Sequence, residues 1–390
     1  MKINKNSVTY FVNHAAFFVS HRLPLALSAR DHGYNVSLVT GQPGSLSMEM
    51  NAKKILSEIK INHHKLFFQS AGINPIIEFV GFIQLVLFLI KTKPNVLHCA
   101  SPKAVLYGGL AARLAGIKSV VLAISGMGFA FTQSNKKNKL RKIIALIYKK
   151  VFLFVLRHNN IHVIVQNKDD YQAMLNTQCI KPSRLHLIGG SGIELERFIN
   201  FSIEKKESIV VLPARMVADK GIFEFVDAVR RIKQNLPDWR FVLAGAADYK
   251  NPSAINLELI QSWQSEGLVE WVGHVEDIAI LLGKASIVCL PSYREGMPKA
   301  LLEASAAGCA IIATDVIGCR DAVIDSETGD LVKVRDADSL ASALLTLIND
   351  REKRERYGQS GRKLAIKNYG IQKVVDRTLN IYQELILDAG

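Results

Sequence analysis

Acidic side chains are scarce at the start of this chain: only Asp31, Glu49, Glu58 and Glu78 precede residue 169. Chemistry that needs two carboxylates as acid and base has little to draw on there. Cysteine is sparse as well. Cys99, Cys179, Cys289, Cys309 and Cys319 are odd in number, form no C-x-x-C pair and sit in or beside apolar segments. That pattern excludes a disulfide framework and a zinc finger and suits free thiols in a reducing compartment. No apolar run reaches the roughly 18 to 20 residues that span a bilayer. Met1 to Ser7 lacks the charged start and apolar stretch of a signal peptide, so a cytoplasmic location is expected. No G-x-G-x-x-G follows the first apolar run, where the turn reads NHAAFF, and this excludes a dinucleotide oxidoreductase. Zinc-finger spacing, basic heptads and aromatic RNA-reading motifs are also missing, so nucleic acid is not an expected partner.

What the chain does have is length, a core and an uneven charge. Its 390 residues are about twice a usual domain, and 49% hydrophobic with 22% charged residues is a globular composition. Net charge is +14, yet residues 1–200 hold 25 Lys and Arg against 8 Asp and Glu, while the remainder holds 24 against 27. A field that lopsided favours an anionic partner for the N-terminal half.

Short β-branched or apolar runs alternate with longer helical patterns throughout, the signature of βαβ units, so the fold class is α/β with parallel sheets. The first half offers strands at Val8 to Val12, Asn35 to Thr40, Val96 to Ala100, Ser119 to Ile124, His162 to Gln166 and Arg184 to Ile188. The alternation restarts at Ser208 to Pro213 and continues through Arg240 to Gly245, Leu268 to Val272, Ile287 to Leu290 and Ala310 to Thr314. The polar stretch Asn200 to Glu207 and the change of charge set the domain boundary between about 189 and 207. Expected are an N-terminal domain over 1–195, a C-terminal domain over 196–370, and a last helix over 371–390 with no following strand, free to pack back on the first domain.

Two segments raise the question of a membrane. Residues 79–90 read FVGFIQLVLFLI, either a core helix or a membrane-contacting one. Residues 136–158 interleave Lys136, Lys137, Lys139, Arg141, Lys142, Lys149, Lys150 and Arg157 with apolar residues and hold no acid. This fits an interfacial helix on acidic lipid and equally a solvated basic face over a buried one.

Chemistry concentrates in two places. Pro291 to Gly308, PSYREGMPKALLEASAAG, reads as a loop and a helix between two strands. Glu295 falls in the loop, Pro298 suits a first helical turn and Glu303 lies in the helix. A carboxylate there accepts hydrogen bonds from sugar hydroxyls or a ribose diol, and N–H groups at a helix start hold an oxyanion. Val211 to Ile222, VLPARMVADKGI, places Arg215 and Lys220 beyond the carboxyl end of a strand, where open α/β sheets bind ligands. Two cations suit a diphosphate without a metal. Taken singly, each of the four residues also fits an ordinary surface role.

Together, PARMVADKG, EGMPKALLEA with its two acids eight residues apart, and GGSGIELERF from Gly189 to Phe198 resemble glycosyltransferase family 4 over nearly the whole chain. FFVSHRLPLALSARDHGY, SPKAVLYGGLAARLAG and SGMGFAFT resemble its branch that builds capsule, O-antigen and related surface polysaccharides on a polyprenyl carrier. The resemblance implies the GT-B fold, two Rossmann-like doubly wound domains facing a central cleft. It implies a retaining, metal-independent transferase that moves a hexose or N-acetylhexosamine from a nucleotide sugar, UDP-linked by expectation, to a polyprenyl-diphosphate-linked sugar. Arg215 and Lys220 would bind the diphosphate, Glu295 the transferred sugar, Glu303 the ribose, and the backbone of Gly296 and Met297 sugar hydroxyls. The nucleotide sugar is a substrate, and no cofactor or metal is expected. The protein would sit at the cytosolic face of an anionic membrane.

For the acceptor, His14, His21 and Arg22 follow the first strand and His98 ends another, though each fits an ordinary structural role equally and a buried strand histidine fits His98 at least as well. Ser125 in AISGMG stands where many relatives carry a His, so no catalytic imidazole is assigned there. His63 and His64 face opposite sides of any strand and form no metal pair. Two other readings compete: a non-hydrolysing nucleotide-sugar epimerase, which would need carboxylates the first half lacks, and a membrane-associated binding protein without chemistry, which Arg215, Lys220, Glu295 and Glu303 argue against.

Overall fold

Every apolar run read as a strand is one, and all of them pair in parallel. The computed structural model describes residues 6–43, 46–69, 74–127, 139–248 and 251–389. The chain divides into two units, Met1–Ser191 with Val374–Gly390, and Gly192–Lys373.

The first unit is built on seven strands: β1 (Ser7–Val12), β2 (Asn35–Gln42), β3 (Asn62–Gln69), β4 (Val96–Ala100), β5 (Val120–Ile124), β6 (Ile161–Val165) and β7 (Leu185–Leu187). Their order is β3-β2-β1-β4-β5-β6-β7. Every residue of β4, β5 and β6 is buried, which is why these strands read as continuous apolar runs rather than alternating ones. Helices α1 (Ala15–His21), α2 (Leu23–Asp31), α3 (Leu46–Glu58), α4 (Pro75–Thr92), α5 (Pro102–Leu114), α6 (Lys139–Leu156) and α7 (Lys168–Asn176) make the crossovers.

The second unit has six strands: β8 (Glu207–Pro213), β9 (Arg240–Ala244), β10 (Glu270–Gly273), β11 (Ala285–Leu290), β12 (Ala310–Thr314) and β13 (Gly329–Val332), ordered β10-β9-β8-β11-β12-β13. Its helices are α8 (Ile222–Ile232), α9 (Leu257–Ser265), α10 (Ile278–Lys284), α11 (Lys299–Ala307), α12 (Cys319–Ala322), α13 (Ala337–Asn349) and α14 (Arg351–Asn368). The last helix, α15 (Ile371–Ala389), returns to the first unit, where Ser119 Oγ donates to the Leu385 carbonyl at 3.1 Å and Tyr382 packs on β1 and β4.

Two strands carry no clear sequence signal. β3 reads NHHKLFFQ, an edge strand whose inward positions are only Leu66 and Phe68, and β13 has four residues. The apolar stretch 79–90 belongs to a longer helix, the 18-residue α4, which by length and composition alone is long and apolar enough to cross a membrane. Its inner face is core and its outer face is exposed, so the expectation of a core helix holds for one side only. Of the basic segment, Lys136 and Lys137 lie outside the described residues, as do the side chains of Lys139, Arg141 and Lys142.

Ser101, between β4 and the Pro102 that opens α5, has φ 99 and ψ 151, a region that side chains rarely enter. Its hydroxyl donates to Asn13 Oδ1 at 2.6 Å. Ser101→Ala keeps the strain and loses the bond, whereas Ser101→Gly loses both. The glycine variant should therefore be the more stable by about 1 kcal/mol or more in urea unfolding. The reverse order would contradict the backbone reading.

Candidate active site

Strand order in the second sheet reverses between β8 and β11, and in open α/β sheets ligands bind beyond the carboxyl ends of the strands at such a reversal. The loops at 214–221 and 291–298 carry the two sequence motifs, and they are fastened to one another. Tyr293 N–H donates to the Asp219 carbonyl at 2.9 Å. Gly221 has φ 71, and a Cβ there would stand 2.0 Å from the Pro291 carbonyl oxygen, so only glycine permits the approach. The loop after β12 closes the other side. Glu295 N–H donates to the Ile317 carbonyl at 3.1 Å, Thr314 Oγ1 donates to the Ser292 carbonyl, and a Cβ on Gly318 would lie 2.5 Å from the Gly296 carbonyl.

This framework brings Lys220 Nζ to 2.5 Å from Glu295 Oε1, with the side chains 24% and 12% exposed. A charge-assisted bond so placed fixes both groups while leaving the ammonium two further protons to donate. Arg215 leaves the same loop and meets Asp248 at 2.5 Å. Its side chain is 60% exposed, and a solvent-screened pair of that kind yields readily to a doubly charged anion. Beyond Glu295, Pro298 opens α11 and no side chain caps the helix, so the first N–H groups and the positive end of its dipole lie in this same loop.

Glu303 sits one turn into α11, 3.5 Å from Lys299 Nζ and 12% exposed. Burial pushes its carboxyl above the usual range, outweighing the opposite pull of Lys299 and of Arg197. Arg197 belongs to the Gly189 to Phe198 motif and pairs with Asp277 at 2.7 Å. Met297 packs on the apolar core beneath, so its side chain anchors the loop whose backbone it shares with Gly296. Lys220 and Glu295 thus meet directly, while Arg215 and Glu303 stand on the same two segments with partners of their own.

Sequence reasoning missed Asp248, Tyr293 and Glu224. Tyr293 O–H donates to Glu224 Oε1 at 2.8 Å, beneath Arg335 at 4.5 Å from the ring centre. One signal for Asp248 was present in Gly245 at the end of β9, where a Cβ would stand 1.8 Å from the Ala214 carbonyl, so the loop bearing Asp248 abuts the loop bearing Arg215.

The acceptor candidates divide by burial. His14 caps α1 through Nδ1, 3.2 Å from Phe17 N, and His21 stacks on Phe17 with ring centres 4.7 Å apart; both are half-buried. Ser125 is exposed after β5 and borders a small hollow shared with Ser101 and Tyr148. His98 and Arg22, by contrast, are buried in a network with α15. Tyr382 O–H lies 2.7 Å from His98 Nδ1 and 3.2 Å from Tyr10 Oη. Burial and the nearby Arg22 hold the His98 imidazole neutral, well below its usual range. His98 thus takes the buried-strand role that the sequence also allowed, bonded to the last helix, and Arg22 lies buried beside it with its guanidinium on the His21 carbonyl at 3.0 Å. His63 bonds Thr40 Oγ1 at 2.8 Å. Among the described residues no group of three or more His, Cys, Asp or Glu is placed to hold a metal ion.

Residues 7–159 match the family described as Glycosyl transferase 4-like, and residues 194–364 match Glycosyl transferases group 1. The chain is similar to N,N'-diacetylbacillosaminyl-diphospho-undecaprenol alpha-1,3-N-acetylgalactosaminyltransferase of Campylobacter jejuni, at 29% identity over 96% of this chain and 98% of the relative. It is similar to UDP-Gal:alpha-D-GlcNAc-diphosphoundecaprenol alpha-1,3-galactosyltransferase of Escherichia coli, at 26% identity over 79% of this chain and 80% of the relative. Among solved structures, sucrose-phosphate synthase of Thermosynechococcus elongatus superposes with a TM-score of 0.76 at 18% identity, covering 98% of this chain and 100% of that one. That likeness is one of fold, and the fold is GT-B.

Glu303 supplies a test of the site's electrostatics. With its folded-state pKa raised, ionisation favours the unfolded chain, so its destabilising effect is absent below the unfolded pKa and grows as pH rises. Glu303→Gln should raise the thermal midpoint at about pH 7 and leave it unchanged near pH 4. An equal shift at both pH values would contradict the assignment.

Proposed function

Because the chain belongs to the glycosyltransferases of the 4-like and group 1 families, we propose that it is a retaining transferase moving a hexose or N-acetylhexosamine from a UDP-sugar to a sugar carried on polyprenyl diphosphate. The observation that carries this reading is the Lys220–Glu295 pair at the strand-order reversal, with Arg215 on the adjoining loop. The names of the Campylobacter and Escherichia relatives supply the acceptor class, and the latter also the UDP donor.

The chemistry follows from where charge develops. As the bond between C1 and the diphosphate breaks, its electron pair goes to the leaving oxygen and positive charge grows on the sugar. Lys220, Arg215 and the α11 N–H groups face the diphosphate and stabilise the departing charge in place, which is how a site lowers a barrier without reorganising. Glu295 orients Lys220 and accepts hydrogen bonds from the sugar. Glu303, on the same helix, is placed to take the ribose diol. The acceptor hydroxyl bonds to C1 on the face the phosphate leaves, and its proton passes to the phosphate oxygen, so the anomeric configuration is kept. The two cations take the role that a divalent ion plays in other transferases, and the enzyme works without a bound metal. A polyprenyl acceptor lies in a bilayer, so the protein works peripherally at the cytosolic face of an anionic membrane.

Lys220→Ala should lower kcat by about 100- to 1,000-fold, equivalent to roughly 3 to 4 kcal/mol of barrier, while circular dichroism stays native. Residual turnover, followed by proton NMR of the product, should keep the donor's anomeric configuration. Unchanged turnover would remove Lys220 from the mechanism, and an inverted product would overturn the retaining assignment.

A further inference from the structure

Both faces of α4 are apolar, and they have different fates. The inner face is packed: Leu85 and Leu89 are buried, and a Cβ on Gly81 would lie 2.6 Å from the backbone nitrogen of Phe68, so the helix rests directly on β3. Glu78, the only carboxylate of α4, also turns inward, where Lys103 pairs with it at 2.9 Å and bonds the Gln69 carbonyl at 2.7 Å. The outer face carries Ile76, Phe79, Val80, Ile83, Leu87 and Ile90, each between 40% and 75% exposed. Spaced at i, i+3, i+4, i+7, i+11 and i+14, they form one stripe about 21 Å long at 1.5 Å per residue. Phe67 extends it sideways from β3. An apolar surface this continuous marks a place where something docks.

We propose that α4 is an interfacial helix that lies in the plane of an anionic membrane, with Phe79 and Leu87 in the acyl boundary. Charge selects this occupant. The outer face has no carboxylate, Lys91 and Lys93 close the helix, Lys65 is exposed on the neighbouring strand, and the half of the chain to residue 200 carries 25 basic against 8 acidic residues. A second copy of the chain would bring the same basic rim against itself, whereas acidic headgroups complement it. A spanning orientation would require α4 to abandon the Gly81–Phe68 contact and the Glu78–Lys103 pair, both of which hold it flat on the sheet. The proposal deepens the reading of a lipid-linked acceptor, yet its test needs no acceptor.

The full-length protein is mixed with phosphatidylcholine vesicles with and without phosphatidylglycerol and then sedimented. Binding should require phosphatidylglycerol and fall about tenfold or more in the double variant Phe79→Ser with Leu87→Ser. Because both side chains face solvent, that variant should keep the native melting temperature and UDP-sugar affinity. All three tryptophans, Trp239, Trp263 and Trp271, lie in the second unit, so Phe79→Trp and Leu87→Trp each place a single reporter in the first. Brominated lipids should quench both at the same depth, whereas a spanning helix would separate them by about 12 Å. Undiminished vesicle binding by the double variant, binding indifferent to lipid charge, unequal depths, or a self-associating form lost in the double variant without vesicle binding would each overturn the proposal. Failure of sugar transfer to a water-soluble acceptor would count against the enzymatic reading and leave this one standing.

Discussion

A lysine and a glutamate that leave adjacent strands of a parallel sheet can meet only if their loops run within contact distance, and here two glycines set that distance. Gly221 lets the loop after β8 press against Pro291, and Gly318 lets the loop after β12 press against Gly296. A methyl group at either place would push the loops apart, and Lys220 would lose Glu295. The chemistry of the site therefore rests on a backbone constraint: three loops from neighbouring strand ends share one small volume, and that volume has room for no Cβ.

The same economy explains how charge is distributed. Lys220 is held by an anionic partner in a half-buried setting, Arg215 by a partner in solvent, and Glu303 is buried at an electrostatic cost that Lys299 only partly offsets. The proposed site residues are thus in part mutually satisfied, Lys220 with Glu295 and Arg215 with Asp248. In the first unit the logic is reversed. His98, Tyr10 and Tyr382 are buried and joined by hydrogen bonds that fasten α15, with Arg22 buried beside them, and the exposed surface is rich in basic and apolar side chains.

Much of this was legible from the residues. Parallel strands buried on both faces announce themselves as apolar runs, and the eleven strand assignments rest on nothing more than that periodicity. The motif segments fell at strand ends for the same reason, since a loop that follows a buried run and precedes a helix has one place to be. β3 stayed hidden because an edge strand covered by one helix keeps only two inward side chains, and β13 because four residues carry no period. His98 stayed open between two roles because a strand-end imidazole reads alike whether it faces solvent or a returning helix 284 residues away. Asp248 was missed because its importance lies in contact between two loops, which no local pattern encodes.

The most direct measure of whether Lys220 and Glu295 act as one unit on the donor is a double-mutant cycle, with Lys220→Ala, Glu295→Gln and the pair compared for kcat/KM toward the UDP-sugar. Residues that share one function lose it once, so the double variant should be little worse than the more damaging single change. Strictly additive losses would mean that the two side chains serve separate ends, and the account of a single site built on their meeting would be wrong.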